Sequence, residues 1–368
     1  MIRSARSRGK IIAPGMVCFA LAVVVPSGVP QPVPLEFSSG QGEQAADPEA
    51  ELRTGTALTR EGKFEEAVPH LIAARGRVVN EYAAGFNMAL CYLGLRRHQQ
   101  AIEVLEDLRA DGHNTASVNN LLAQAYVGAG RPEEAFSALQ RAATLTPQDE
   151  KLYGFVADAC TDNKQYELGL RVVDLGLQHL PSSARLHYER AMFLAQLDRF
   201  ETAKPEFERA ALLAPESDIA YLARVQEALF QDDLTAAVRT VREGSTKGHH
   251  GYVLEGLSAE VLIHAGAMPG QPEFAEARSL LESSVTQKPD YSTSQIALGK
   301  LYLMENRPSD AVTHLEIGRR LEPQNPAVYS SLANAYRRLG EEQKAHQMLD
   351  QLKDLLQSSG RSNADAKF

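Results

Sequence analysis

The stretch "GAGRPEEAFSALQRAATLTP", Gly128 to Pro147, reads as a tight turn, a helix and a proline stop. Close copies of it return along the chain. "REGKFEEAVPHLIAA" begins at Arg60, "LDRFETAKPEFERAALLAP" at Leu197 and "ENRPSDAVTHLEIGRRLEP" at Glu305. With Ala135 as a ruler, steps of 34 residues land on Ala67, Ala101, Gly169, Ala203 and Ala237. One step of 40 then gives Ala277, and steps of 34 resume at Ala311 and Ala345. Twelve residues ahead of these lie Gly55, Ala89, Ala123, Ala157, Ala191, Val225, Gly299 and Ala333, all small or apolar; in the long unit Ala259 takes that part. Twelve residues behind come Pro147, Pro181, Pro215, Pro289 and Pro323. Nine units, starting near 48, 82, 116, 150, 184, 218, 252, 292 and 326, account for residues 48–359.

Each unit decodes as two helices. In "SVNNLLAQAYVGAG" the residues Leu121, Leu122, Ala125 and Tyr126 recur at helical spacing, and glycines close the run. Pro132 stands in the first turn of the next helix, where its missing N–H costs nothing. Phe136, Leu139, Ala142 and Ala143 form that helix's apolar stripe, and Pro147 stops it. Ala123 and Ala135 are small, so the two axes can approach closely.

Period, small residues, aromatic and terminal proline together resemble the tetratricopeptide repeat. The resemblance implies an all-α fold, an α-solenoid wound as a right-handed superhelix of about nine helix-turn-helix units. It implies a non-enzymatic scaffold whose partner is a protein or peptide held along the inner, first-helix face. Departures are local. The first two units have Val79 and His113 in place of the final proline; the sixth has Val225 and His249 at signature positions. The seventh carries six extra residues around "GAMPGQPEF", Gly266 to Phe274. The last helix, "EEQKAHQMLDQLKDLLQ", is polar enough to face water as a terminal cap, and residues 360–368 read as a disordered tail.

The N-terminus has another character. Arg3, Arg6, Arg8 and Lys10 precede the apolar run Ile11 to Val25, and Ser27 and Gly28 follow. Basic, apolar and small residues in that order form the layout of a secretory signal peptide. Fifteen apolar residues fall short of the ~20 that a membrane span needs. Residues 1–27 therefore read as a signal peptide cleaved near Ser27; an uncleaved anchor or lipidation at Cys18 are the alternatives. Residues 28–47, rich in Pro, Gly, Gln and Ser, read as a flexible linker. The expected location is periplasmic or secreted, with membrane attachment only through an uncleaved anchor facing outward.

Composition removes several functions. A net charge of −9 disfavours a nucleic-acid binder, which needs basic surface to displace phosphate counterions. No G-x-S-x-G, G-x-x-x-x-G-K, H-E-x-x-H or C-x-x-C motif occurs, and no cofactor is expected. Cys91 and Cys160 lie two units apart, beyond the ~7 Å Cα separation a disulfide allows, and read as small core residues. His249, His250 and His264 lack further ligands at metal spacing, and Asp232 and Asp233 read as a turn. The carboxylate clamp of this family, built of Lys and Asn, is not matched: Asn87 fits one place, but Leu52, Thr56, Ser117 and Leu121 occupy the others.

In the family, first-helix residues at the second, fifth, ninth and twelfth places face the groove. Here the resemblance assigns that role to Asn120, Gln124, Lys151, Asp158, Arg185, Tyr188, Met192, Gln226, Glu260, Lys300, Asn334 and Arg337. Amides, both charge signs, Tyr and Met suit an extended peptide or a partner helix. Arg319, Arg320, Arg337 and Arg338 add positive charge toward the C-terminal end. The rival reading is an accessory subunit of a polysaccharide-export or glycosyl-transfer complex, for which Tyr188 is the aromatic able to stack a sugar.

Overall fold

The computed structural model describes residues 47–365, and the expected signal peptide and nearly all of the linker lie outside them. Among the described residues every regular element is a helix. The helices fall into two compact units, divided after Arg199.

The first unit holds α1 (Pro48–Arg60), α2 (Phe64–Ala74), α3 (Glu81–Gly94), α4 (His98–Ala110), α5 (Ala116–Gly128), α6 (Pro132–Leu145), α7 (Glu150–Asp162), α8 (Tyr166–His179) and α9 (Ala184–Gln196). Each odd-numbered helix packs against the next even one, and the odd-numbered helices also lie side by side: α1 on α3, α3 on α5, α5 on α7 and α7 on α9. The second unit holds α10 (Phe200–Leu213), α11 (Asp218–Phe230), α12 (Leu234–Thr246), α13 (Tyr252–His264), α14 (Pro272–Gln287), α15 (Ser292–Met304), α16 (Pro308–Leu321), α17 (Pro326–Arg338) and α18 (Glu342–Asp365). There α11, α13, α15 and α17 form the same side-by-side row.

The ruler residues lie where two helices touch. Ala67, Ala101, Ala135, Ala203, Ala237, Ala277, Ala311 and Ala345 are all buried, as are the small residues of the facing first helices. At Gly55 a Cβ would come within 2.7 Å of Leu71 Cγ, so the α1–α2 contact admits no side chain there. Leu71, Leu105, Leu122 and Leu139 fill the first unit's core; Phe274, Leu281, Leu301, Leu315 and Leu332 fill the second's. Cys91 and Cys160 are free, buried thiols; burial pushes both up, and Cys91 Sγ lies 3.2 Å from Thr59 Oγ1.

The chain reverses between paired helices by one recurrent device. Gly62, Arg96, Gly130, Lys164, Asp198, Asp232, Gly266, Asn306 and Gly340, spaced by 34 residues apart from one step of 40, all have a left-handed backbone, with φ between 55° and 96°. Second helices end in one of two ways. Five meet the repeat's proline. The three that lack it, α2, α4 and α12, are followed by Gly76, Gly112 and Gly248, each with φ between 76° and 92°. A left-handed glycine just past the last turn turns the chain out of the helix as effectively as proline blocks it.

First helices are capped by side chains. Asp47, Asn80, Thr115, Asp149, Ser183, Ser217 and Asn325 each accept a backbone N–H of the helix they open, a contribution of about 1 kcal/mol per cap. Asp232 supplies a left-handed turn and Asp233 caps α12 through Ala236 N at 2.9 Å, which is why the pair occurs there.

The insertion divides between loop and helix. The segment from Ala265 to Gln271 is longer than its counterparts, and α14 has 16 residues where α16 has 14. Ala267 and Phe274 anchor it in the core, while Met268 is exposed. α18 runs to Asp365, so the helix overruns the boundary the sequence suggests at 359; no proline interrupts the segment.

Candidate functional site

All twelve candidate residues lie on odd-numbered helices, and the structure separates them into three kinds. Some are committed to internal bonds. Asn120 is buried and its Nδ2 donates to Leu152 O at 2.7 Å, tying α5 to α7; Gln124 Nε2 donates to Asn120 Oδ1 at 2.8 Å. Tyr188 is buried, so the aromatic that a sugar would need is enclosed. Others stand exposed: Lys151, Lys300, Asn334 and Arg337, with Asn334 Oδ1 accepting from Arg338 Nε at 3.1 Å. The third kind is half-buried or buried and polar: Asp158, Arg185, Gln226 and Glu260, with the half-buried Met192 beside them in the sequence series.

In the first unit Arg185, on α9, is held between two carboxylates. Its Nε donates to Glu189 Oε1 at 2.6 Å, one helical turn on, and its Nη2 to Asp158 Oδ2 of α7 at 3.4 Å. Gly154 leaves the room this needs: a Cβ there would meet Arg185 Nη2 at 2.6 Å. Burial and the neighbouring Glu189 hold the Asp158 carboxyl well above the ordinary carboxylate range; burial also raises Glu189 against the pull of Arg185. Burial disfavours the Arg185 cation, yet the attraction of Glu189 and Asp158 prevails and its pKa is raised. Desolvated charges of this kind persist only when paired. Glu189 lies at none of the expected groove positions. Its four-residue spacing from Arg185 is the signal that could have found it.

In the second unit Gln226, Glu260 and Lys300 are the ninth residues of α11, α13 and α15. Gln226 is 1% exposed, and neither Oε1 nor Nε2 finds a hydrogen-bond partner among the described residues. Burial pushes Glu260 up to about 7, with Lys300 opposing. Asp158 and Gln124 hold the same ninth place in the first unit.

Histidines serve local contacts. His249 Nδ1 lies 2.8 Å from Asp218 Oδ1, and His264 Nδ1 lies 2.8 Å from Glu260 O in its own helix. No group of three or more metal-ligating side chains gathers among the described residues. No helix among them is long and apolar enough to cross a membrane. The C-terminal arginines are engaged too: Arg319 pairs with Glu316 at 2.8 Å and Arg338 Nη1 donates to Leu303 O at 2.6 Å.

Comparison with known proteins agrees with the helix pairs. Models described as tetratricopeptide repeat match residues 58–125, 116–149, 159–227 and 270–330, and a PPR repeat model matches 327–355. Intraflagellar transport protein 70A of Xenopus laevis is 34% identical over 62 residues, which are 17% of this chain and 10% of that protein. Among solved structures, the APC/C hetero-tetramer Cut9–Hcn1 is similar over 84% of this chain and 61% of that one, at 14% identity and a TM-score of 0.49. A structure of MamA is similar over 46% of this chain and 97% of that one, at 19% identity and a TM-score of 0.36. The chain thus spans a small part of its curated relative and less than two thirds of the first of these structures. Repeat spacing, paired helices and matching models converge: the chain is built of tetratricopeptide repeats.

Proposed function

We propose that the chain is a non-enzymatic scaffold, exported to the cell envelope, that binds an extended peptide or a partner helix along its first-helix face. One observation carries the binding reading. Successive first helices lie side by side in each unit and present amide and charged residues at equivalent places, half-buried or exposed, from Asp158 and Arg185 to Glu260, Lys300 and Asn334. A row of donors and acceptors repeated from helix to helix suits a ligand that is itself periodic, as a polypeptide is. Export is supported by the basic, apolar and small order of residues 3–28, outside the described residues.

Lysine-directed crosslinking with mass spectrometry in the native host tests both parts. Lys151 and Lys300 are exposed on first helices α7 and α15; Lys204 and Lys247 belong to or adjoin second helices α10 and α12. Partner crosslinks are expected at Lys151 and Lys300, on a protein whose intact mass lacks about the first 27 residues. Partner links confined to Lys204 and Lys247 would overturn the first-helix reading. Full-length mass in the cytoplasmic fraction would overturn export.

A further inference from the structure

The two units treat an acid at the ninth place of a first helix differently. Asp158, ninth in α7, receives Arg185, the second residue of the next first helix, α9. Gln124, ninth in α5, is followed in the same geometry by Lys151, second in α7. Glu260 is ninth in α13, but the second residue of α15 is Thr293, which carries no charge. The array supplies a cation at the first acid and omits it at the second.

The omission leaves Glu260 unsatisfied. No hydrogen bond or ion pair from the described residues reaches its carboxyl, although burial strips that carboxyl of much of its water. Of the helices packed against α13, only α15 brings a charge within electrostatic reach, Lys300; α11, α12 and α14 bring none. Lys300 is exposed and forms no ion pair with Glu260 among the described residues. At the ninth place of the neighbouring α11, Gln226 is buried with both amide atoms unbonded, the one amide among the described residues in that state. Buried polar atoms in folded proteins are almost always bonded, so two orphans at equivalent places on adjacent helices require an occupant.

We infer that Glu260 receives a lysine or arginine side chain of the partner's extended segment, in the place that Arg185 occupies beside Asp158, with Gln226 bonding the segment's backbone amide. The inference rests on the first-helix reading above and names the partner's chemistry: a segment bearing a basic residue. A cation at this point lets the carboxyl ionise and accept the donors it lacks. A side-chain amide offers both a donor and an acceptor, which matches the N–H and C=O of a peptide unit.

Two fluorescein-labelled dodecapeptides test it by anisotropy, up to millimolar concentration: a Gly/Ser backbone with lysine at every third place, and the same peptide with norleucine for lysine. The lysine peptide is expected to bind about tenfold more tightly at pH 8 than at pH 6, because the carboxyl titrates near pH 7. Glu260→Gln should weaken the lysine peptide to the level of the norleucine peptide and abolish the pH dependence. Gln226→Leu should weaken both peptides and leave the pH dependence in place. Equal binding of the two peptides, or a pH dependence that survives in Glu260→Gln, overturns the basic-residue inference while leaving the first-helix reading intact. If neither peptide binds and no partner crosslinks at Lys151 or Lys300, both readings fall.

Discussion

Arg96, Lys164, Asp198, Asp232 and Asn306 turn the chain with a left-handed backbone although none is glycine. A side chain in that conformation costs about 1–2 kcal/mol, partly offset because glycine loses more freedom on folding. Arg96→Gly or Lys164→Gly should therefore stabilise the protein by about 0.5–1 kcal/mol, read as a higher urea midpoint at unchanged slope. Glu260 gives a prediction of a different kind. Its folded pKa stands near 7, above the ordinary 4.5, so the folded state holds a proton that the unfolded state releases. Stability from this group is complete at low pH and declines as pH rises from about 4.5 to 7, remaining low above that. Glu260→Gln removes the decline. The variant should be more stable than the parent at pH 8, by about 2 kcal/mol, and nearly equal at pH 4.5, measured by thermal unfolding. A residue that weakens the free protein at neutral pH makes sense where it is kept for binding.

At the scale of helices, the same inter-repeat brace occurs three times. Tyr126, Tyr302 and Tyr336, each near the end of a first helix, donate to Glu106 at 2.6 Å, Glu282 at 3.1 Å and Glu316 at 2.8 Å, on the second helix before it. A cation covers each ring: Arg131 at 4.6 Å, Arg307 at 4.4 Å and Lys344 at 5.2 Å from the centroids. The brace joins one helix pair to the next, where a repeat array depends on neighbour contacts. Tyr336→Phe should cost about 1 kcal/mol in denaturant unfolding, with the ring retained and only the bond to Glu316 lost. Gly154 plays a comparable part between α7 and α9. Gly154→Ala should push the Arg185 guanidinium away from Asp158, whose carboxyl would then bind its proton more tightly still, an upward shift measurable by carboxyl NMR titration.

Over the whole molecule, helix pairs touch mainly their sequence neighbours, and the described residues form two compact units. Damage should therefore stay near its source. Leu122→Ala, in the core of the first unit, and Leu315→Ala, in the core of the second, should each cost about 2–5 kcal/mol. Native-state hydrogen exchange should show the loss concentrated in the helices around each site, α4 to α7 for Leu122 and α14 to α17 for Leu315. Uniform loss across residues 47–365 for either variant would mean that the units unfold together.

The helix pairs were legible because their cause is local. Small residues at a fixed interval, apolar stripes of helical period and prolines at regular stops act through near neighbours, and a period of 34 displays them repeatedly. Polar residues were legible only as positions. Asn120, Gln124 and Tyr188 stand at the expected places yet are taken up by internal bonds or burial, whereas Glu189, at no expected place, pairs with Arg185. Gln226 and Glu260 looked no different from their counterparts until their surroundings were known. Whether a polar group is satisfied depends on what the adjoining helices bring to it and on how far water is excluded. Both are properties of packing, so the sequence by itself determined the architecture, and only the tertiary structure decided which of its polar residues still lack a partner.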